Sequence, residues 1–395
     1  MMILLSWLLG AAVLLVLLPV LVLFVQVLLG CLPARPLPMA TGERARVAVL
    51  VPAHDEASVI RATLASITPQ LAAGDRLLVV ADNCSDDTAT LARQAGAQVV
   101  ERQDDRLRGK GYALDFGVRH LADDPPQVLI VIDADCLADV GAIERLARCC
   151  SETARPVQAL YLMHAPAGAG LKVQIAEFAW RVKNLVRPRG WAWLGLPCQL
   201  MGSGMALPWR DLALIDLANG HLVEDLKLGL DLCRNGKPPL FCPQAQVYSQ
   251  FPSSDEGLAI QRTRWEHGHL GVLLADAPRL LLSALTRGNG RLLAMALDLL
   301  VPPLALLVLT LMALLGITWL AYALFGILLP ALLATLAMGL LGSAVLLAWL
   351  RFCREQMPFS VLLYAPCYAA KKIPLYLGFL VRRQVEWVRS KRDDS

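Results

Sequence analysis

Apolar and polar positions alternate along the first half of the chain in blocks typical of buried strands and amphipathic helices. Residues 128–132 are consecutive apolar, mostly β-branched residues that follow two prolines, a pattern that predicts a strand buried on both faces. Similar apolar runs occupy 47–51, 76–81 and 98–100, and each is followed by a loop and a helical segment. Repeated strand–loop–helix units of this length predict an α/β fold with a parallel sheet and helices on both faces.

The two ends of the chain are apolar over much longer stretches. Residues 3–32 contain no charged residue and exceed the roughly 20 residues that cross a bilayer. They lack the charged start and short core of a signal peptide, so we predict a retained anchor. Residues 292–320 and 322–350 predict a transmembrane hairpin. Residues 358–381 carry two lysines midway, and because buried charge is costly there we predict an interfacial or re-entrant segment.

Arginine positions give a predicted topology. Arginines follow the anchor and stand on both sides of the hairpin, which by the positive-inside rule predicts an N-terminus outside and a cytoplasmic soluble region and C-terminus. We therefore expect an integral protein of a bacterial inner (plasma) membrane. A basic tail that could touch anionic lipid is predicted at Arg382, Arg383, Arg389, Lys391 and Arg392.

These patterns divide the chain into predicted domains. We expect a single soluble domain framed by membrane segments, joined to the anchor by a short proline-rich linker. The predicted ranges are an anchor at 1–32, a linker at 33–45, a soluble domain at 46–277, an interfacial connection at 278–291, a hairpin at 292–350, and an interfacial segment with its basic tail at 351–395.

Composition narrows the classes of function. Hydrophobic residues make up 56% of the chain and charged residues 18%, a skew that comes from the apolar ends. A formal charge of +4 is too small to indicate a nucleic-acid partner. The ten cysteines include no Cys-x-x-Cys pair and no His/Cys cluster at zinc spacing, which favours a reducing compartment over a disulfide framework.

Charged side chains follow the predicted strands. Asp133 and Asp135 are two residues apart in extended backbone, so they point the same way, and a divalent cation would relieve their repulsion. Asp82 and Asp87 can hydrogen-bond a base or ribose, and Lys110 between two glycines can approach a diphosphate at a helix N-terminus. Each has an ordinary alternative as a strand end, helix cap or turn residue. Neither Gly-x-Gly-x-x-Gly nor a P-loop is present.

Six short polar motifs follow one another along the chain. They are Pro52-Ala53-His54-Asp55-Glu56, the polar loop 82–88, Arg108-Gly109-Lys110-Gly111, Asp133-Ala134-Asp135, Glu224-Asp225 and Gln261-Arg262-Thr263-Arg264-Trp265. Taken together and in this order, they resemble a membrane-bound family 2 glycosyltransferase with the GT-A fold. The last of them is the Gln-x-x-Arg-Trp signature of cellulose, chitin and hyaluronan synthases, also found in ceramide glucosyltransferases; alone, it fits an amphipathic helix equally well.

The resemblance implies a reaction in which an acceptor hydroxyl attacks a nucleotide-diphosphate sugar with inversion. It implies that Asp225 is the general base, with Glu224 the less favoured catalytic carboxylate, and that Asp133 and Asp135 bind Mg²⁺ or Mn²⁺. An acceptor-binding role is implied for Gly202, Ser203, Gly204 and Trp265; Ser203 stands where the family often has Thr and keeps the hydroxyl. The implied nucleotide-sugar-binding residues are Pro52, His54, Glu56, Asp82, Asp87, Lys110, Asp133, Gln261 and Arg264.

The number of predicted crossings bears on the acceptor. Polymer synthases of this kind export their chain through a pore of several helices, and three crossings are few for one chain. We therefore favour transfer from a UDP-sugar to a lipid, lipid-linked or polysaccharide acceptor at the membrane, with no nucleic-acid partner. Two alternatives stay open: a processive β-polysaccharide synthase subunit that needs an export or polymerisation partner, and a non-catalytic nucleotide-sugar-binding sensor or scaffold.

Overall fold

The computed structural model describes residues 2–35, 37, 41–252 and 254–384. Pro36, Pro38, Arg389, Lys391 and Arg392 of the predicted linker and tail lie outside the described residues. The strands are β1 (Val47–Ala53), β2 (Arg76–Asp82), β3 (Gln98–Arg102), β4 (Val128–Val131), β5 (Leu137–Ala138), β6 (Val157–His164), β7 (Met205–Pro208) and β8 (Leu240–Gln250). The α-helices are α1 (Met2–Gly30), α2 (Ile60–Ile67), α3 (Thr88–Gln94), α4 (Lys110–Leu121), α5 (Ala142–Thr153), α6 (Leu171–Arg181), α7 (Arg187–Trp193), α8 (Glu224–Arg234), α9 (Asp255–Thr286), α10 (Gly290–Leu299), α11 (Leu304–Phe325), α12 (Leu328–Phe352), α13 (Phe359–Leu363), α14 (Ala365–Ala370) and α15 (Ile373–Val381).

The strands form one mixed sheet in the order β3-β2-β1-β4-β7-β6-β8-β5. The first four strands are parallel, as predicted. Beyond these predicted strand–helix units, β6 and β8 are also parallel, whereas β7 runs antiparallel to both β4 and β6, and β5 runs antiparallel to β8. Strand β7 is antiparallel to β4 because it begins beside the last residue of β4, where Met205 pairs with Val131, and then runs back along that strand.

The sheet is held by the residues that the apolar pattern marks as buried. All four residues of β4 are buried, and its Val131 packs in one core with Leu50, Leu78 and Leu114. Each such side chain contributes about 1.5–3 kcal/mol to the free energy of unfolding. Helix α4 lies close on the sheet at Gly117, where a Cβ would come within 2.5 Å of Leu50. This packing fixes the N-terminus of α4 at the carboxyl ends of the parallel strands.

The described chain divides into two compact units. One contains the sheet and consists of residues 35–166, 196–269 and 384 among those described. The other consists of apolar helices and contains residues 2–34, 167–195 and 270–383. The long helix α9 contributes residues to both units.

Among the described residues, α1, α9, α11 and α12 are long and apolar enough to cross a membrane, judged by length and composition. Helix α9 was not among the predicted crossings, because its first half carries the charged residues of the Gln-x-x-Arg-Trp motif. The predicted interfacial segment at 358–381 is divided into α13, α14 and α15, each of which is shorter than a crossing requires.

The hairpin differs from its predicted outline in two places. The predicted single span 292–320 is divided between α10 and α11, because Pro302 and Pro303 interrupt the helix. The join lies at residues 326–327 rather than at 318–322. Thr318 lies inside α11, where its hydroxyl donates to Leu314 O (2.8 Å), whereas Gly326 adopts the left-handed backbone (φ 71°) that ends a helix.

A buried polar network joins three helices of the apolar unit. Arg187 of α7 donates to the side chain of Asp298 in α10 (2.8 Å) and, through Nε, to Gln26 of α1 (3.1 Å). Gln26 completes the triangle by donating to Asp298 Oδ1 (2.6 Å). All three residues are less than 9% exposed, so the two opposite charges are buried together and hydrogen-bonded to each other and to Gln26.

Candidate active site

Two carboxylates follow the carboxyl end of β4, as the sequence predicts. The predicted extended backbone between them is wrong, because the chain turns there and the Cys136 amide donates to Asp133 O (3.0 Å). The Asp133 amide donates to Ser203 Oγ (3.1 Å), which ties the strand end to the loop before β7. Asp133, Asp135 and Cys136 place one potential ligand atom each within 4.8 Å of one another. Burial raises the pKa of the Cys136 thiol to about 12, so this thiol stays protonated at neutral pH. The donors that remain are carboxylate oxygens, which suit Mg²⁺ or Mn²⁺.

Lys110 connects several elements of the site. It begins α4 after Gly109, whose φ of 129° is a glycine conformation. Its Nζ forms ion pairs with Asp133 and with Glu224 (3.5 Å) and donates to Gly202 O (2.8 Å). Burial alone would lower the pKa of Lys110, but the carboxylates of Asp133 and Glu224 outweigh it and raise that pKa. Lys110 is therefore a fixed cation among the carboxylates.

Glu224 and Asp225 open helix α8, where the helix dipole favours negative charge. Burial raises the pKa of Glu224 to about 7; Lys110 opposes this shift, and Asp225 and Asp133 add to it. A Cβ built on Gly202 would lie 3.3 Å from Asp225 Oδ2 and 3.7 Å from Asp133 Oδ2. The carboxylates of β4 and α8 thus converge on Gly202.

The loop before β7 needs its glycines. Gly202 and Gly204 have φ values of 93° and 69°, and a Cβ on Gly204 would come within 2.7 Å of the Ala159 Cβ. Gly204 N donates to Val131 O (2.9 Å), and Ser203 between the two glycines is fully buried. The predicted acceptor loop therefore lies against the end of β4.

The Gln-x-x-Arg-Trp motif lies on the first half of α9, within the sheet unit. Arg264 is in electrostatic range of Glu224, Asp133 and Asp225. Gln261 is 6% exposed, and within the described residues its Oε1 has no hydrogen-bond partner. Trp265 is half-buried on the same helix. Arg264 therefore adds a second cation to the carboxylates that surround Lys110, and Gln261 has a buried oxygen that can accept a hydrogen bond.

A second polar cluster lies at the ends of β1, β2 and β3. The Asp82 carboxylate, 6% exposed as a residue, accepts a hydrogen bond from Arg102 Nη1 (2.6 Å), and the His54 ring bonds Asp82 O (2.7 Å). Burial raises the pKa of Asp82, and Arg102 opposes the shift. Sequence reasoning missed Arg102, whose signal is its place at the end of β3, opposite Asp82 in the parallel register.

The remaining predicted binding residues lie along the β1 and β2 loops. Pro52 is half-buried in β1, and the Glu56 amide donates to Thr88 Oγ1 (2.8 Å). Asp87 is exposed at the start of α3. Two carboxylates order this loop: Asp55, to which the sequence motif assigned no role, accepts from the Ser85 amide (2.6 Å), and Asp86 accepts from the Ala57 amide (3.0 Å).

Comparison with known proteins shows which family the sequence of the sheet unit matches. A family model described as "Glycosyltransferase like family 2" matches residues 45–268. The "Probable glycosyltransferase YdaM" of Bacillus subtilis (strain 168) is 27% identical over 255 residues, which cover 59% of this chain and 57% of that protein. The "Uncharacterized glycosyltransferase Rv0539" of Mycobacterium tuberculosis (strain ATCC 25618 / H37Rv) is 42% identical over 100 residues, 25% of this chain and 41% of that protein. The chain thus spans about half the length of the curated relatives it matches.

One solved structure is similar over nearly the whole chain. It is the mannosyltransferase PcManGT from Pyrobaculum calidifontis in complex with GDP-Man and Mn²⁺, with a TM-score of 0.56. The match covers 95% of this chain and 100% of that one at 17% sequence identity, so the likeness concerns the fold alone.

Proposed function

Since this chain belongs to the glycosyltransferase-like family 2, we propose that it is an inverting membrane glycosyltransferase that moves a sugar from a nucleotide diphosphate to an acceptor hydroxyl. Its sheet unit has the α/β, GT-A type fold that the sequence predicts. One observation carries the proposal: Lys110 Nζ bonds Gly202 O while it pairs with Asp133 and Glu224. A cation suited to phosphate thus lies beside a carboxylate of the proposed metal site and beside the carboxylate that precedes the proposed base, Asp225.

The donor side is assigned to the end of β4 and to α9. Lys110 and Arg264 bind the diphosphate, Lys110 as a point charge and Arg264 as a planar fork. Asp133 and Asp135 would hold Mg²⁺ or Mn²⁺, and their oxygen donors fit those cations. When bound, the cation supplies positive charge beside the leaving diphosphate. Asp82 and His54 lie in the second polar cluster, to which we assign the nucleoside.

The acceptor side is assigned to the loop before β7 and to α8. Asp225 takes the proton of the acceptor hydroxyl, because its Oδ2 faces Gly202 in that loop. Trp265 of α9 can stack on a sugar face of the acceptor, whereas the buried Gln261 Oε1 on the same helix is a hydrogen-bond acceptor for the nucleotide sugar. Glu224 pairs with Lys110, and its protonation state sets the net charge of the group formed by Lys110, Asp133, Glu224 and Asp225.

The acceptor is proposed to reside in or at the membrane, as a lipid, a lipid-linked sugar or a polysaccharide end. Support comes from the apolar helices α1, α9, α11 and α12, each of which is long and apolar enough to cross a bilayer. The arginines that flank them support a cytoplasmic active site, in an inner (plasma) membrane with the N-terminus outside.

Nucleotide release by the detergent-purified full chain tests the proposal. The panel contains UDP- and GDP-sugars, Mn²⁺ or Mg²⁺, and a membrane lipid extract as the source of acceptor. We expect one donor to turn over, with activity lost on chelation by EDTA and restored by Mn²⁺. Asp225→Asn should lower kcat at least about 100-fold, since a general base contributes about 10²–10⁴-fold.

The matched control is Asp231→Asn on the same helix, whose carboxylate pairs with Lys227 (2.9 Å) and Arg234 (2.8 Å). It should keep kcat within about threefold of the unmodified chain, because surface ion pairs contribute little. An Asp225→Asn variant as active as this control would contradict the assignment of the base. Nucleotide binding without turnover of any donor would favour a sensor instead.

A further inference from the structure

A buried glutamine bonds both ends of the loop before β7. Gln158 of β6 is fully buried. Its Oε1 accepts a hydrogen bond from the Met201 amide (2.8 Å), and its Nε2 donates to Ser203 O (2.8 Å) and to Ala159 O (2.9 Å). A polar side chain is kept in a core when each of its groups is satisfied, and here backbone groups do this.

The position of Gln158 in the sheet explains why an amide is needed. The antiparallel pairing of β6 with β7 includes Gln158 and Met205, and just before Met205 the chain turns through Gly204 and Gly202 at positive φ. The peptide groups of Met201 and Ser203 therefore lie outside the strand. A side-chain amide has the same donor and acceptor as a peptide unit, so Gln158 continues the hydrogen-bonding ladder where the backbone of β7 stops.

The loop that Gln158 holds contributes two contacts to the candidate active site. Gly202 O accepts the hydrogen bond of Lys110 Nζ, and Ser203 Oγ accepts that of the Asp133 amide. The backbone of Gly202 also faces Asp225 Oδ2. A shift of Met201 or Ser203 would therefore move both Gly202 O, which bonds Lys110, and Ser203 Oγ, which bonds the Asp133 amide.

We propose that Gln158 is a positioning residue for the transfer reaction: it latches residues 201–204 in the conformation that aligns Lys110, Asp133 and Asp225. The proposal rests on the proposed function for its kinetic consequence. Its structural part, the latch itself, stands on the three hydrogen bonds alone. Gln158 is fully buried, so it acts through the loop.

Hydrogen exchange and kinetics of the full chain in detergent test the latch. In the unmodified chain, the Met201 amide should exchange as slowly as the ladder amides of β7. In Gln158→Met, which keeps the volume and removes all three bonds, peptides that cover 201–204 should exchange at least tenfold faster. With the donor found active in the panel, kcat should fall at least tenfold while the donor KM changes less than threefold.

Gln70→Met is the matched control. Gln70 also joins two backbone groups through its amide, donating to Ser66 O (2.7 Å) and accepting from the Ile143 amide (3.3 Å), but it lies away from the loop. This variant should leave the exchange of 201–204 and kcat unchanged. Equal effects of the two substitutions on the exchange or on kcat would overturn the proposal, because the effect would then be general loss of packing.

Two further outcomes keep the test decisive. If Gln158→Met does not fold, the unmodified chain decides: a Met201 amide that exchanges as fast as exposed loop amides overturns the latch. If no donor turns over in the unmodified chain, the proposed function fails, while the exchange measurements still support or reject the latch.

Discussion

At the scale of single residues, the site contains two neighbouring carboxylates with different surroundings. Glu224 is 14% exposed beside Lys110, and burial raises its pKa to about 7, whereas Asp225 faces Gly202. The resemblance favoured Asp225 over Glu224 as the base, but the sequence could not show how their surroundings differ, because the residues that pack around each carboxylate come from distant parts of the chain. Asp225 as the base is therefore still a prediction.

Replacing Glu224 tests what its raised pKa does. Below about pH 7 the protonated Glu224 no longer pairs with Lys110, so we expect kcat of the unmodified chain to fall as the pH drops through about 7. Glu224→Gln removes this titration and should move the acidic limb at least about one pH unit lower. The measurement is kcat between pH 5.5 and 9 at saturating donor.

The control for this profile is Glu144→Gln, which removes a carboxylate of α5 that pairs with Arg44 (2.6 Å) away from the site. Its pH profile should match that of the unmodified chain. An unchanged acidic limb in Glu224→Gln would assign the titration to another group. Folding stability follows the same linkage: because the folded pKa lies above the ordinary 4.5, the contribution of Glu224 is lost as the pH rises from about 4.5 to about 7.

At the scale of elements, the loop before β7 determines how close the carboxylates come. Gly202 has no side chain, and its backbone approaches Asp225 and Lys110 directly. The small-residue pattern predicted a loop there, but its approach to both carboxylates depends on β7 returning along β4.

Gly202→Ala should lower kcat at least about tenfold, because the new Cβ would lie 3.3 Å from Asp225 Oδ2 and displace the carboxylate. Gly236→Ala is a matched control: Gly236 also has a positive φ (77°), but its Cβ would meet nothing within 4 Å. Both changes should cost about 1–2 kcal/mol of stability through backbone strain. Thermal unfolding and kcat measured on both variants separate strain from crowding, and equal losses of kcat would contradict this account.

At the scale of the whole molecule, each of the two units has its own means of stabilisation. The sheet unit relies on buried aliphatic residues around β1, β2 and β4, whereas the helix unit contains the charged network of Gln26, Arg187 and Asp298. The hydropathy pattern located the long apolar segments but not this network. Gln26 and Arg187 are separated by 161 residues in sequence, so only folding brings them together.

Arg187→Met should destabilise the helix unit by about 3–5 kcal/mol, because it leaves Asp298 buried without its cation. The double variant Arg187→Met, Asp298→Leu should recover most of that loss, since it removes both charges. Thermal unfolding in detergent gives both values. Arg119→Met serves as a control because it breaks an ion pair with Asp115 in which Arg119 is 74% exposed, and it should cost less than about 1 kcal/mol. If Arg187→Met lowers the free energy of unfolding no more than Arg119→Met does, the network is not needed for stability.

The sequence by itself determined the features that depend on neighbours along the chain. Buried strands at β1, β2 and β4, the carboxylates of Asp133 and Asp135, and the apolar helices follow from local periodicity and spacing. The motifs pointed to the family 2 glycosyltransferases, and the family match over 45–268 confirms that.

Only the tertiary structure decided the features that depend on residues far apart in the chain. Lys110 meets Gly202 across 92 residues, and Asp82 finds Arg102 because β2 and β3 pair in parallel register. The latch at Gln158 exists because β7 returns antiparallel beside β6. Such contacts leave no periodic signal in the sequence, since they arise from sheet order and chain reversal rather than from local preference.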